Sequence, residues 1–220
     1  MTELKAPARE EKILQKFAEL PVQAVLTANY TYELEKAVIS DFKCIPGRAC
    51  KFRKNAVKTG DYETRMLHTN FAGSEEDKTI WHIHGEAAKP DTMVLGHYYY
   101  GKLLAKMQQY IPKLQARFNG TFSSGKDYVC HSWIDYFMLG NVYIVGLGMD
   151  MSELDLWWLI NCKKRHYPET KVTLFKPNIS PELKLLAEAY GVNVDSEIIL
   201  KDDAYLEYYR QVYEKLMREL

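Results

Sequence analysis

Two histidines one residue apart, His82 and His84, close the β-prone run Thr79-Ile80-Trp81-His82-Ile83-His84, which Gly85 then breaks. On a strand this spacing puts both imidazoles on one face, as a metal site would need, with Glu86 and His97 as further ligand candidates. Those partners stand at no convincing metal spacing, so no metal is expected, and one of the two histidines is read as hydrogen-bonded in the interior. His84, at the end of the strand, is placed as a lone general base or positioning group, because an unperturbed imidazole titrates near neutral pH. Asn29 follows another apolar run, Val22-Gln23-Ala24-Val25-Leu26-Thr27. Its amide both donates and accepts, which suits a ribose hydroxyl, a carboxamide or a held water; an Asx-turn or helix N-cap is the alternative.

A third feature is Gly146-Leu147-Gly148, directly after Asn141-Val142-Tyr143-Ile144-Val145. Glycines there let backbone N–H groups approach a phosphate, and a following helix offers its positive end. Position 151 is Met, so the dinucleotide fingerprint is incomplete. The structural alternative is a tight strand-to-helix turn with Ser152 as N-cap and Asp155 reciprocating. No G-x-S-x-G elbow exists, so a Ser-His-Asp hydrolase is not supported.

The elements that must hold these groups alternate between strand and helix. Ile13, Leu14, Phe17 and Leu20 fall at helical spacing in a segment from Glu10 to Leu20 that Pro21 closes. The strand ending at Thr27 leads through a polar turn to a helical pattern with Leu34, Ala37 and Val38. Residues 41–78, with Pro46, Gly47, Gly60 and Gly73, hold no sustained period and read as a long insertion that is partly stranded. A helix is predicted from Tyr98 to Phe118, kinked or ended by Pro112, and a loop over 119–126. After the glycine turn come a helix from about Ser152 to Arg165, a strand over Lys171–Phe175, a helix from Pro181 to Tyr190 closed by Gly191, and an extended piece at Val192–Val194. A tyrosine-rich helix, Ala204 to Leu220, ends the chain. This alternation predicts an α/β fold, a Rossmann-type doubly wound and mainly parallel sheet with helices on both faces. The strands ending at Thr27, His84 and Val145 should then be neighbours or near neighbours with their carboxyl ends on one rim, where such sheets bind ligands.

Composition narrows the partners. Lys plus Arg and Asp plus Glu number 29 each, so no global field favours nucleic acid or acidic lipid. Hydrophobic residues make up 47% and charged residues 26%, the balance of a globular protein, and no stretch approaches the roughly 20 apolar residues of a membrane span. Cys44, Cys50, Cys130 and Cys162 include no C-x-x-C pair and are too sparse for a disulfide framework. With no apolar h-region in the first twenty residues, the expected location is the reducing cytoplasm.

Taken in order, four stretches resemble the bacterial sirtuin-like domain family. They are Leu26-Thr27-Ala28-Asn29-Tyr30-Thr31 with Leu34-Glu35, then Ile80 to Glu86, then Val94 to Tyr100, then Tyr143 to Asp155. Each is modest alone, and their order carries the resemblance, which runs from about Pro21 to Val194. These proteins are relatives of the silent information regulator deacylases, and several are NAD-consuming effectors of phage defence. The resemblance implies NAD as cofactor, Asn29 as the asparagine that faces the nicotinamide ribose and holds the attacking water, and His84 as the catalytic histidine. It extends the cofactor contacts to Thr27, Ala28, Asn29, Thr31 and Gly85 at the two strand ends. At the glycine turn it adds Gly146, Leu147, Gly148 and Ser152.

Two departures accompany it. Thr31 stands where an aspartate is usual, and residues 1–20 contain no glycine, so the family's N-terminal glycine-rich strand and turn have no counterpart before Pro21. The zinc module of deacylase sirtuins is also absent, which argues against protein deacylation. The domain layout expected is a lead-in helix over 1–20, a sirtuin-like domain over 21–200 carrying the 41–78 insertion, and a C-terminal helix over 201–220. The function expected is a NAD-binding domain of NAD glycohydrolase-type ancestry. Its rivals are a catalytically inactive module that binds NAD or an ADP-ribose-type nucleotide, and an interaction protein whose C-terminal helix meets a protein partner or a second copy.

Overall fold

A computed structural model describes residues 8–38, 68–70, 79–88, 90–198, 200 and 205–220. The insertion expected at 41–78 lies outside these residues except for 68–70, as do Cys44 and Cys50. In chain order the first elements are α1 (Ala8–Ala18), β1 (Ala24–Thr27), α2 (Glu33–Val38), β2 (His68–Asn70), β3 (Thr79–His82) and α3 (Gly96–Ser123). There follow α4 (Trp133–Leu139), β4 (Val142–Val145), α5 (Leu154–His166), β5 (Val172–Phe175), α6 (Pro181–Ala189), β6 (Val192–Asp195) and α7 (Tyr205–Glu219). They belong to two compact units, Val22–Tyr136 on the one hand and Met1–Pro21 with Phe137–Leu220 on the other.

In Val22–Tyr136 the sheet order is β1-β3-β2. β1 and β3 are parallel, with Ala24 opposite Thr79 and Thr27 opposite His82, and β2 is antiparallel to β3. The apolar residues that made β3 legible, Ile80 and Trp81, are buried in this unit's core. α3 buries Leu103, Met107, Tyr110, Ile111 and Leu114, which recur at helical spacing along one face. Pro112 does not end it. The proline is exposed, and the buried residues on both sides of it hold the helix through the missing hydrogen bond. The helix also consumes more than half of the loop expected at 119–126. Thr121 and Ser123 donate their hydroxyls back to the carbonyls of Arg117 (2.9 Å) and Asn119 (2.8 Å), which satisfies polar side chains that otherwise favour turns.

In the other unit β4, β5 and β6 are parallel in that order, joined by α5 and α6. The Ser180 hydroxyl accepts the Leu183 N–H (3.2 Å) with Pro181 next to it, so α6 begins where capping chemistry places it. Lys163 is buried and donates to the carbonyls of Met138 (2.9 Å) and Gly140 (2.6 Å); burial pulls its ammonium down to about 8. α7 packs on α1, with Tyr209 and Tyr213 edge-on to Phe17 and Tyr208, Val212 and Leu216 buried. Three of the tyrosines of this helix, Tyr208, Tyr209 and Tyr213, are thus engaged within the chain, and Tyr205 is exposed.

The α/β class holds, with parallel strands joined by helices. β1 and β3 are parallel neighbours, as expected, and β4 pairs with β5 in the three-stranded sheet of the other unit. No described helix is long and apolar enough to cross a membrane.

Candidate functional site

Because β1 and β3 run parallel with Thr27 opposite His82, the residues two beyond each end, Asn29 and His84, leave the sheet at the same edge. The Ile83 N–H bonds the Thr27 carbonyl (3.0 Å), carrying the pairing one step past the strands. The Thr27 hydroxyl then accepts the Asn29 N–H (3.1 Å) and turns the chain. Further bonds stitch the two departing loops together. The Ala87 N–H reaches the Tyr30 carbonyl (2.7 Å), the Tyr30 hydroxyl reaches the Val94 carbonyl (3.0 Å), and the Tyr32 hydroxyl donates to the Glu86 carboxylate (2.5 Å).

The side chains divide by depth. Asn29 and Thr31 are exposed, with the Thr31 hydroxyl donating to the Glu33 carboxylate. His84 is 3% exposed, its ring 5.4 Å from that of Tyr100, and its carbonyl accepts the Val94 N–H (2.8 Å). Gly85 has φ +92°, and a Cβ there would lie 2.2 Å from the Thr92 carbonyl oxygen. Only glycine fits that turn.

His82 is buried to the same depth as His84, and its ring is held from both sides. Its Nδ1 lies 2.8 Å from the Asn29 carbonyl oxygen and its Nε2 2.6 Å from Glu35 Oε1. A carbonyl only accepts, so Nδ1 carries a proton, and both ring nitrogens are occupied. Burial by itself would lower this imidazole's pKa, but the Glu35 hydrogen bond and charge, the Asn29 carbonyl and the Glu86 charge raise it above its ordinary 6.5. Glu35 was invisible as a site residue in the sequence, where it reads as an acidic residue early in a helix.

The glycine turn after β4 is held differently. Gly146 has φ +70°, and its N–H donates to the Tyr208 hydroxyl (3.2 Å), which in turn donates to the Phe175 carbonyl (2.8 Å). The Tyr209 hydroxyl oxygen lies 2.5 Å from where a Gly146 Cβ would stand. Ser152 does not cap the next helix. α5 starts at Leu154 with Glu153 in the N-cap position and no side-chain cap bond. Met149, buried with φ +51°, adds a further bend after Gly148, so the helix begins later than the Ser-x-x-Asp spacing suggested. Asp150 closes that bend, its carbonyl accepting the Glu153 N–H (3.0 Å) and the Trp157 ring N–H (3.1 Å).

No curated protein and no solved structure matches the chain. The family model of the SIR2-like domain does match, over residues 23–123, which takes in both strand-end loops and all of α3 but stops short of the Gly146 turn. The motifs around Asn29 and His84-Gly85 thus lie within the stretch, residues 23–123, that is similar to the SIR2-like domain family.

Proposed function

We propose that the chain binds NAD, or an ADP-ribose-type nucleotide, at the carboxyl edge of β1 and β3 and cleaves the bond between nicotinamide and ribose. The observation that carries this reading is the parallel pairing that delivers Asn29 and His84 to one edge inside the SIR2-like stretch. As the C1′–N bond breaks, its electron pair leaves with nicotinamide and positive charge builds on the ribose. Water then adds at C1′ and gives up a proton, yielding ADP-ribose. His84 is the proton acceptor, set at a fixed depth by the Gly85 turn, and the exposed Asn29 amide orients the water or the ribose. Thr27, Ala28 and Gly85 supply close-approaching backbone. The carboxylate that Thr31 lacks stands two residues on, in Glu33, gripped by the Thr31 hydroxyl. A doubly wound Rossmann-type architecture, a cytoplasmic location and an effector role in phage defence belong to the same proposal.

A second reading, a catalytically inactive nucleotide-binding or protein-interaction module, is favoured by one observation: the Gly146 N–H expected to meet phosphate is already given to Tyr208. Nicotinamide release and calorimetric NAD binding by the purified chain separate the two. His84→Ala should lower turnover by about 10²–10⁴-fold while sparing much of the binding, since a base acts mainly in the transition state. Asn29→Ala should lower turnover too, and Thr31→Asp should raise it if a carboxylate at that position limits the rate. Binding without release selects the inactive nucleotide-binding module; neither binding nor release removes the nucleotide reading.

A further inference from the structure

His82 has no part in that chemistry, yet it is tied from two directions. Three elements converge on it: β3 supplies the imidazole, α2 supplies Glu35, and the loop after β1 supplies the Asn29 carbonyl. Both peptide groups of Asn29 are thereby fixed, the N–H by the Thr27 hydroxyl and the carbonyl by His82, while the Asn29 side chain is left in solvent. Glu35 is 1% exposed, and its second oxygen, Oε2, is buried with no hydrogen-bond partner among the described residues, so the carboxylate is anchored there by the 2.6 Å bond to His82. A buried carboxylate with one strong partner stays in place only while that partner does. The Tyr32 ring meets the imidazole edge-on at 5.2 Å, and Tyr32 is itself bonded to Glu86.

We infer that His82 and Glu35 are a positioning pair, which grips the main chain at Asn29 and so fixes the direction in which the Asn29 amide faces its ligand; the ligand part of this inference rests on the reading of the β1–β3 edge as a NAD site. A ring is suited to the task because its two nitrogens point apart in one rigid plane and bridge a carboxylate to a carbonyl. The ionisable groups that face His82 are Glu35 from α2, Glu86 from the loop after β3, and the Tyr32 phenol.

The decisive experiment is histidine and backbone NMR on the whole chain across its pH range. Near neutral pH both His82 ring nitrogens should carry protons, and the Asn29 resonances should shift with the same midpoint as the His82 ring. That midpoint should fall in Glu35→Gln. In His82→Gln the amides of residues 29–31 should exchange about ten-fold faster, the equivalent of one lost charge-assisted hydrogen bond, while the β4–β6 sheet keeps its protection. Nicotinamide release by His82→Gln should lose kcat with a smaller change in KM. Asn29 resonances that ignore the His82 titration would overturn the proposal, and the wild-type titration decides it even if a variant fails to fold. Absence of NAD binding and release in the wild type would instead remove the functional reading, while the coupling between His82 and Asn29 would still be decided by NMR.

Discussion

At Gly85 the backbone turns with φ +92°, and an added Cβ would stand 2.2 Å from the Thr92 carbonyl oxygen; at Gly96 the φ is +72° but nothing lies within 4 Å. Both alanine substitutions carry left-handed strain, and only the first adds a clash with main chain. Gly96→Ala should therefore cost about 1–2 kcal/mol, and Gly85→Ala about 2–5 kcal/mol, in urea unfolding. Equal costs would mean that the Gly85 turn is looser than described, and with it the placement of His84. Of the residues at this edge, Asn29, His84 and Gly85 were legible from type and position, because a polar group or a glycine after a β-prone run marks a strand end. Glu35 was not, since its partner is 47 positions away and no spacing rule spans that distance.

Among the elements, α3 departs most from expectation, running 28 residues through a proline. Proline in a helix interior costs about 3 kcal/mol relative to alanine, through the lost hydrogen bond and the clash with the carbonyl four residues back. Pro112 faces solvent and packs nothing away, so Pro112→Ala should stabilise the protein by about 1–3 kcal/mol, read as a higher urea midpoint at unchanged slope. No gain would mean that the helix has already relaxed around the ring. α4 went unassigned from sequence altogether. It is seven residues long, and its start is set by Ser132, whose hydroxyl accepts the Ile134 N–H (3.1 Å), and by Asp135, which accepts the His131 N–H (2.7 Å). Asp135 is wholly buried and also takes the Tyr110 hydroxyl of α3 (2.8 Å), a contact that hydrophobic periodicity cannot register. Apart from β2, which lies in the stretch where no period was found, the other helices and strands matched their patterns to within a few residues, because each repeats at its own period.

For the molecule as a whole, the clearest long-range dependence is that of the Gly146 turn on the C-terminal helix 62 positions later. Gly146→Ala should cost about 2–4 kcal/mol, since the new Cβ combines φ +70° with a 2.5 Å approach to the Tyr209 hydroxyl oxygen. Adding Tyr209→Phe should return part of that loss, and the double-mutant cycle measures the coupling. Strict additivity would show that Tyr209 does not crowd this glycine. Periodicity, turn residues and motif order are local properties, and they were enough to read the α/β class, most of the elements, and the two polar turns of a SIR2-like stretch from the residues alone. The folded chain adds that β4 pairs with β5 and not with β1 or β3, that His82 is locked between Glu35 and Asn29, and that Tyr208 and Tyr209 of α7 close over Gly146. These arrangements depend on which surfaces meet after the chain has folded back. A glycine needed for a phosphate and a glycine needed for a tyrosine are identical in the sequence; they differ only in what fills the space above them.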